Sequence, residues 1–280
     1  MRDSRRGRRG DGEPSGQGRP DFIELAGARL EVLRIPAAAP GRPALVFLHE
    51  GLGCVDGWRN FPARLAAATG CGALVYSRAG YGRSSPAPVP RSLRYMHDEA
   101  LTVLPRLLDA AGLGEVVLIG HSDGGSIALI HAGGADPGAR VRGVIAEAPH
   151  VLCEELSVSS IRKAREAFVG GDLRQRLARL HGENVDCAFW GWNRAWLDPG
   201  FADWNIEEYL PSIRAPVLVV QGIQDPYGTE EQYRRIQARC GGPTDLLLLD
   251  DCGHAPHRDQ PAAALEAMAG FVARLGPANR

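Results

Sequence analysis

Short, uninterrupted apolar runs recur along the chain, separated by amphipathic stretches. Ala44 to Leu48, Ala73 to Tyr76, Glu115 to Ile119, Val141 to Ala148, Pro216 to Gln221 and Asp245 to Leu249 predict strands. Runs without polar alternation predict strands covered on both faces. Alternation in Phe22-Ile23-Glu24-Leu25 and from Arg29 to Ile35 predicts an opening β-hairpin turned at Gly27. Apolar positions at helical spacing predict helices over Trp58–Thr69, with Phe61, Leu65 and Ala68 on one side, and over Arg91–Gly112, with Met96, Leu101, Leu104, Leu107 and Leu108 facing inward. Further helices are predicted over Glu230–Cys240 and Pro261–Leu275. Strands that alternate with helices imply a mostly parallel sheet with right-handed crossovers. The alternation stops between His150 and Leu210, a mostly helical stretch, first polar and then aromatic, that holds four of the five tryptophans: Trp190, Trp192, Trp196 and Trp204. The predicted layout is an α/β core of residues 21–149 and 211–280, interrupted by a helical insertion over 150–210.

Gly120-His121-Ser122-Asp123-Gly124-Gly125 joins a predicted strand to the helix that opens with Ser126-Ile127-Ala128. A serine between small residues at such a junction fits the nucleophile-elbow pattern G-x-S-x-G, which exposes the hydroxyl at a helix N-terminus. A serine hydroxyl is a weak nucleophile and needs a base, which needs an orienting acid. Asp225 follows the predicted strand ending near Gln221, and His254 follows the one ending at Leu249, so both sit on loops at carboxyl ends of strands. Asp250, Asp251 and Glu147 are rival acids, although Asp250 and Asp251 lie too close in sequence to His254 to approach its ring. His257 is the rival base; lacking a preceding glycine, it reads as a surface or supporting residue.

The order Ser122, Asp225, His254, together with the elbow, resembles the α/β-hydrolase superfamily. Gly253-His254-x-Pro256 is similar to its histidine loop, His49-Glu50-Gly51-Leu52-Gly53 to its oxyanion loop H-G-x-x-G, and Tyr76-Ser77-Arg78-Ala79-Gly80-Tyr81-Gly82-Arg83-Ser84 to its D-x-R-G-x-G-x-S loop. The resemblance runs from about Phe22 to the C-terminus. It implies the α/β-hydrolase fold: a mostly parallel eight-stranded sheet flanked by helices, with a helical cap inserted after strand 6 above Ser122. It also implies a Ser122-Asp225-His254 triad, an oxyanion hole from the N–H groups of Asp123 and of Gly51 or Leu52, and no cofactor or metal. Glu50 replaces the usual glycine; a carboxylate facing a developing oxyanion would oppose catalysis, so its side chain is expected to turn away onto backbone groups. Ser77 replaces the usual aspartate and is expected to change a loop contact only. His49 is expected to brace the oxyanion loop, His121 to pack beside the elbow, and Asp123 either to sit in the helix's first turn or to line the pocket. Trp190, Trp192 and Trp196 are expected to pack the cap and partly to roof the site.

The implied activity is hydrolysis of a carboxylic ester, lactone or thioester of a small, partly apolar substrate through an acyl-enzyme. Carbon–carbon bond hydrolysis of ring-cleavage products uses the same triad, and a non-catalytic ligand-binding protein of this fold is the alternative from another class. Dehalogenase and epoxide hydrolase chemistry need a carboxylate nucleophile, which Ser122 is not.

Composition adds little to this picture and removes some alternatives. A net charge of −1 and 44% hydrophobic residues over 280 residues give no reason to expect a nucleic-acid or membrane partner. The homo-oligomeric state is left open. Basic residues are almost all arginine, Lys163 being the one lysine. The cysteines Cys54, Cys71, Cys153, Cys187, Cys240 and Cys252 form no C-x-x-C pair, and Cys252 with His254 lacks the partners of a zinc site. Scattered thiols predict a cytoplasmic setting. Residues 1–20, rich in Arg, Gly, Asp and Ser and without an apolar stretch, are expected to be a disordered tail and neither signal nor anchor.

Overall fold

A computed structural model describes residues 21–25, 27–135 and 140–276; the tail expected over 1–20 lies outside them. The first hairpin pairs β1 (Asp21–Leu25) with β2 (Ala28–Ile35), turned at Gly27 with a φ of 87°. The buried runs become β3 (Ala44–Leu48), β4 (Ala73–Tyr76), β5 (Val116–His121), β6 (Val141–Glu147), β7 (Val217–Gly222) and β8 (Thr244–Leu249). Together they form one eight-stranded sheet in the order β1-β2-β4-β3-β5-β6-β7-β8, antiparallel at β1-β2 and β2-β4 and parallel elsewhere. β5 is central and buried at every position. β8 is an edge, so its apolar run is only half covered and Leu248 is 42% exposed.

Helices cover both faces. On one face α1 (Phe61–Thr69) packs against the C-terminal α10 (Pro261–Arg274) over Leu45, Phe47, Val117 and Ile119. The predicted start of α1 at Trp58 is too early. Val55–Trp58 is a separate 3-10 turn, and α1 begins at Phe61 with Pro62 in its first turn, where a missing N–H costs nothing. The helix predicted over Arg91–Gly112 is likewise shorter and interrupted. It comprises α2 (Tyr95–Asp98), a π turn over Glu99–Val103 and α3 (Leu104–Ala110). The wider turn shifts the inward face, which leaves Leu101 partly buried while Met96, Leu104, Leu107 and Leu108 are fully buried.

On the other face α4 (Asp123–Gly134) runs from the end of β5 through the core, buried from Asp123 to Ala132. Between β6 and β7 lie α5 (Glu155–Gly170), α6 (Leu173–His181) and α7 (Val185–Trp196), stitched together by the stacked rings of Phe168 and Phe189, 3.6 Å apart. α8 (Glu230–Arg239) joins β7 to β8, and the short α9 (Pro256–Asp259) precedes α10. No helix among the described residues is long and apolar enough to cross a membrane.

Candidate active site

The turn from β5 into α4 is tight enough to dictate its residues. Ser122 has a φ of 54°, unfavourable for any residue with a Cβ. A Cβ on Gly120 would fall 2.1 Å from the Gly124 carbonyl oxygen, and one on Gly124 would fall 2.0 Å from that of Leu48. Only glycine fits either position, and the strain is held by a core buried on all sides. The result lifts the Ser122 hydroxyl above the carboxyl end of the sheet. Asp123 opens α4, so its N–H has no intrahelical acceptor and points to the same side.

Three distant loops meet at that hydroxyl. Ser122 Oγ lies 2.9 Å from His254 Nε2, and His254 Nδ1 lies 2.9 Å from both Asp225 oxygens. The tautomer follows from the partners: Nδ1–H donates to the carboxylate, which leaves Nε2 to accept from the serine hydroxyl. Asp225 is fixed in turn by the Gln221 amide, which donates at 2.7 Å, and by the Tyr227 N–H at 2.8 Å. Burial works against its charge, but the bond from His254 and the Tyr227 N–H hold its carboxyl below the usual range. The Tyr227 ring lies 4.6 Å from that of His254. Nothing in the spacing of Tyr227 or Gln221 marks them except their closeness to Asp225.

The loop after β3 is braced by two histidines of defined tautomer. The Arg78 N–H donates to His49 Nε2 at 3.0 Å, so His49 Nδ1–H donates to the Glu50 carbonyl at 2.7 Å. The Gly82 N–H donates to His181 Nδ1 at 3.0 Å, so His181 Nε2–H donates to the Leu52 carbonyl at 2.9 Å. Burial lowers both histidines' affinity for a second proton. His181 ends α6, so the insertion reaches the loop directly. Its α7 does too: a Cβ on Gly51 would fall 2.2 Å from the Trp192 indole nitrogen. Ser77 accepts from the Val55 N–H at 2.9 Å and donates to Glu31 at 2.8 Å, tying this loop region to β2.

Of the other tryptophans, Trp196 lies beside the elbow. Its Nε1–H donates to the Tyr95 hydroxyl at 3.0 Å and lies 3.3 Å from Asp123 Oδ1, while the Tyr95 hydroxyl donates to Asp123 Oδ2 at 2.5 Å. Asp123, 1% exposed, therefore faces protein groups, with Arg78 3.9 Å away as counter-charge. Burial pushes its carboxyl up despite Arg78 and these bonds. Trp190 packs inside the insertion, among Phe168, Phe189 and the Arg194 guanidinium. Tyr95 carries no motif that would single it out. The buried ring of His150 stands 5.1 Å from Trp196 and 5.8 Å from His254; burial and the charge of His254 push its pKa down to about 3, which keeps it neutral.

One expectation is corrected and another is narrowed. Glu50 turns away from the reacting side but onto side chains, not onto backbone: its carboxylate lies 3.6 Å from His121 Nδ1 and 3.6 Å from Arg258 Nη2. Of the two readings of His257, surface or supporting, the supporting one holds. The residue is 5% exposed, its Nδ1 lies 2.8 Å from Glu147 Oε2, and its N–H donates to Glu147 Oε1. That engagement also removes Glu147 as a partner for His254. His121, Glu147 and His257 are close enough together to suggest a metal triad. Within the trio Glu147 accepts twice from His257, while His121 Nε2–H donates outside it, to the His254 carbonyl at 2.6 Å. Within this cluster Glu147 and His257 form a buried hydrogen-bonded pair.

The sheet order, the elbow and the three converging loops define a class, and comparison with known proteins agrees. A model of the alpha/beta hydrolase family matches residues 45–267, and the chain belongs to that family; it is a hydrolase. It is 26% identical over 264 residues to 2-succinyl-6-hydroxy-2,4-cyclohexadiene-1-carboxylate synthase of Klebsiella pneumoniae, an alignment covering 84% of this chain and 95% of that one. It is 24% identical over 253 residues to the sn-1-specific diacylglycerol lipase ABHD11 of Danio rerio, covering 81% and 78%. Among solved structures it resembles the enol-lactonase of Burkholderia xenovorans, with a TM-score of 0.68 and 18% identity over 90% of this chain and all of that one. At that identity the likeness speaks for the fold alone.

Proposed function

We propose that this hydrolase cleaves a carboxylic ester, lactone or thioester of a small, partly apolar molecule through an acyl-enzyme on Ser122. The observation that carries the reading is the chain of contacts Ser122 Oγ, His254, Asp225, each step at 2.9 Å. His254 Nε2 takes the hydroxyl proton as Oγ attacks the carbonyl carbon, and Nδ1–H remains on Asp225, which stabilises the imidazolium. The N–H groups of Asp123 and of Gly51 or Leu52 receive the oxyanion, helped by the positive end of α4. His254 then returns the proton to the leaving group, and a water deprotonated by the same nitrogen releases the acid. No step requires a cofactor.

Trp192 against Gly51 and Trp196 against Asp123 support a cap role for the insertion over a compact pocket. Six free thiols support a reducing, cytoplasmic setting. The test is a fluorophosphonate label followed by a hydrolysis panel of p-nitrophenyl esters of graded chain length, lactones, thioesters and a vinylogous diketone. Labelling at Ser122 that is lost in Ser122→Ala, with ester turnover, is expected. An unreactive wild type would move the protein to the ligand-binding class, and turnover of the diketone alone would move it to carbon–carbon hydrolysis.

A further inference from the structure

His121 stands directly before Ser122, yet its ring turns away from the nucleophile and reaches two loops at once. Its Nε2 lies 2.6 Å from the carbonyl oxygen of His254, and its Nδ1 lies 3.6 Å from Glu50 Oε2. A carbonyl oxygen only accepts, so Nε2 carries a hydrogen. A neutral ring protonated there would present the Nδ1 lone pair to a carboxylate, a repulsive arrangement in a buried place. Protonation of both nitrogens removes the repulsion and turns both contacts into attractions. We propose that His121 is a positioning residue: a buried imidazolium that fixes the loop bearing the oxyanion donors and the loop bearing the catalytic base relative to each other. The proposal rests on the serine-hydrolase reading above.

The charge surroundings favour that state. Glu50 comes from the loop after β3 and Glu147 from the end of β6, and both face the ring; Glu147 is shared with His257 of α9. Arg258 lies 3.6 Å from the other Glu50 oxygen. His254, His257, His150 and His49 are the remaining titratable groups around this cluster. Burial disfavours charge on His121, but the contact with Glu50 and the field of Glu147 outweigh it and raise its pKa; burial likewise disfavours charge on Glu50, but His121 and Arg258 outweigh it and keep it ionised. The unusual carboxylate in the oxyanion loop thus has a use. Glycine at position 50 would leave His121 without its nearest counter-ion.

The raised pKa favours the charged His121 ring, and the strut is lost as pH rises past that pKa. Turnover then needs His121 charged, so kcat carries an alkaline limb set by this ring. The experiment is the pH profile of kcat and KM for the wild type, His121→Gln and Glu50→Gln, with each fold checked by circular dichroism. Both variants are expected to lose about 10- to 100-fold in kcat from misplaced reacting groups, to keep KM within about twofold, as expected when only transition-state stabilisation is lost, and to lack the alkaline limb. A variant with low activity but the wild-type pH profile would reduce His121 to packing and overturn the proposal, as would a variant indistinguishable from wild type. Nitrogen-15 NMR of labelled histidines in Ser122→Ala gives a readout independent of turnover. The signal that disappears on adding His121→Gln should show two protonated nitrogens at pH 7; a neutral ring there sinks the strut even if Ser122 proves to be the nucleophile. If fluorophosphonate fails to label the wild type while that signal is doubly protonated, the functional reading fails and the imidazolium stands.

Discussion

The Trp196 indole nitrogen lies 3.3 Å from Asp123 Oδ1, which joins the last residue of α7 to the residue that follows Ser122. Tyr95 completes the clasp, and Arg78 balances its charge. Because the N–H of Asp123 belongs to the proposed oxyanion hole, the insertion and the proposed reaction centre share one buried carboxylate. Removing that carboxylate strands a guanidinium that is itself 2% exposed. Asp123→Asn should therefore destabilise the fold by about 3 kcal/mol, as breaking a buried pair does, measured by urea unfolding. Trp196→Phe, which removes only one donor, should cost about 1 kcal/mol. Equal effects of the two would deny the ion pair its importance.

Asp225 and Glu147 can be separated experimentally. Asp225→Asn should fold normally and lower kcat by about 10⁴-fold, the effect of losing the imidazole's tautomeric control. Glu147→Gln should do the opposite, keeping turnover within about tenfold while lowering unfolding free energy by about 3 kcal/mol through the unpaired His257. Steady-state kinetics beside denaturation curves decide it; a collapse of kcat in Glu147→Gln alone would reassign the acid.

Ser122→Ala and His254→Ala should each abolish nearly all measurable turnover, and the double variant should be no worse than either single one, since the groups act as a unit. Additive losses, measured on one p-nitrophenyl ester, would mean the two side chains act in separate steps.

The elbow makes a prediction about folding. Gly124→Ala drives a methyl to 2.0 Å from the Leu48 carbonyl, whereas a Cβ on Gly114 meets nothing within 4 Å. The first change should cost about 3 kcal/mol or more, and the second less than about 0.5 kcal/mol. Melting temperatures of the two proteins give the answer directly.

Stability should fall on acidification. His49, His150 and His181 are neutral in the fold because burial lowers their pKa, that of His150 to about 3. In the unfolded chain they titrate near about 6.5, so the unfolded state binds more protons below that pH and the native state loses ground. For His150 the loss runs from about 6.5 down to about 3. His121, with its raised pKa, works in the other direction: its contribution is complete at acid pH and is lost on the alkaline side. Melting at pH 5 should come several degrees below melting at pH 7; a flat profile would mean that buried water or partners charge these rings in the fold.

The core was legible because its signals are local. Strands such as Val116–Ile119 are apolar at consecutive positions, and Gly120 and Gly124 advertise a turn that nothing larger could enter. The loops bearing Asp225 and His254 were placed by strand ends alone. Departures came where side chains choose partners from far along the chain. Glu50 found Arg258, more than 200 positions away, and His257 found Glu147; neither spacing nor composition encodes such meetings. The π turn over Glu99–Val103 is another case, since an apolar helical face looks the same in sequence whether or not one turn is widened.

Burial has a practical consequence for sulfur. It pushes the Cys54 thiol up to about 12 and those of Cys240 and Cys252 up to about 11, so at physiological pH all three stay almost wholly un-ionised. Cys54 lies just past the loop of residues 49–53, 1% exposed, with its sulfur against the Leu180 carbonyl. With the thiolate suppressed there, a thiol-directed alkylating reagent finds little to attack at neutral pH.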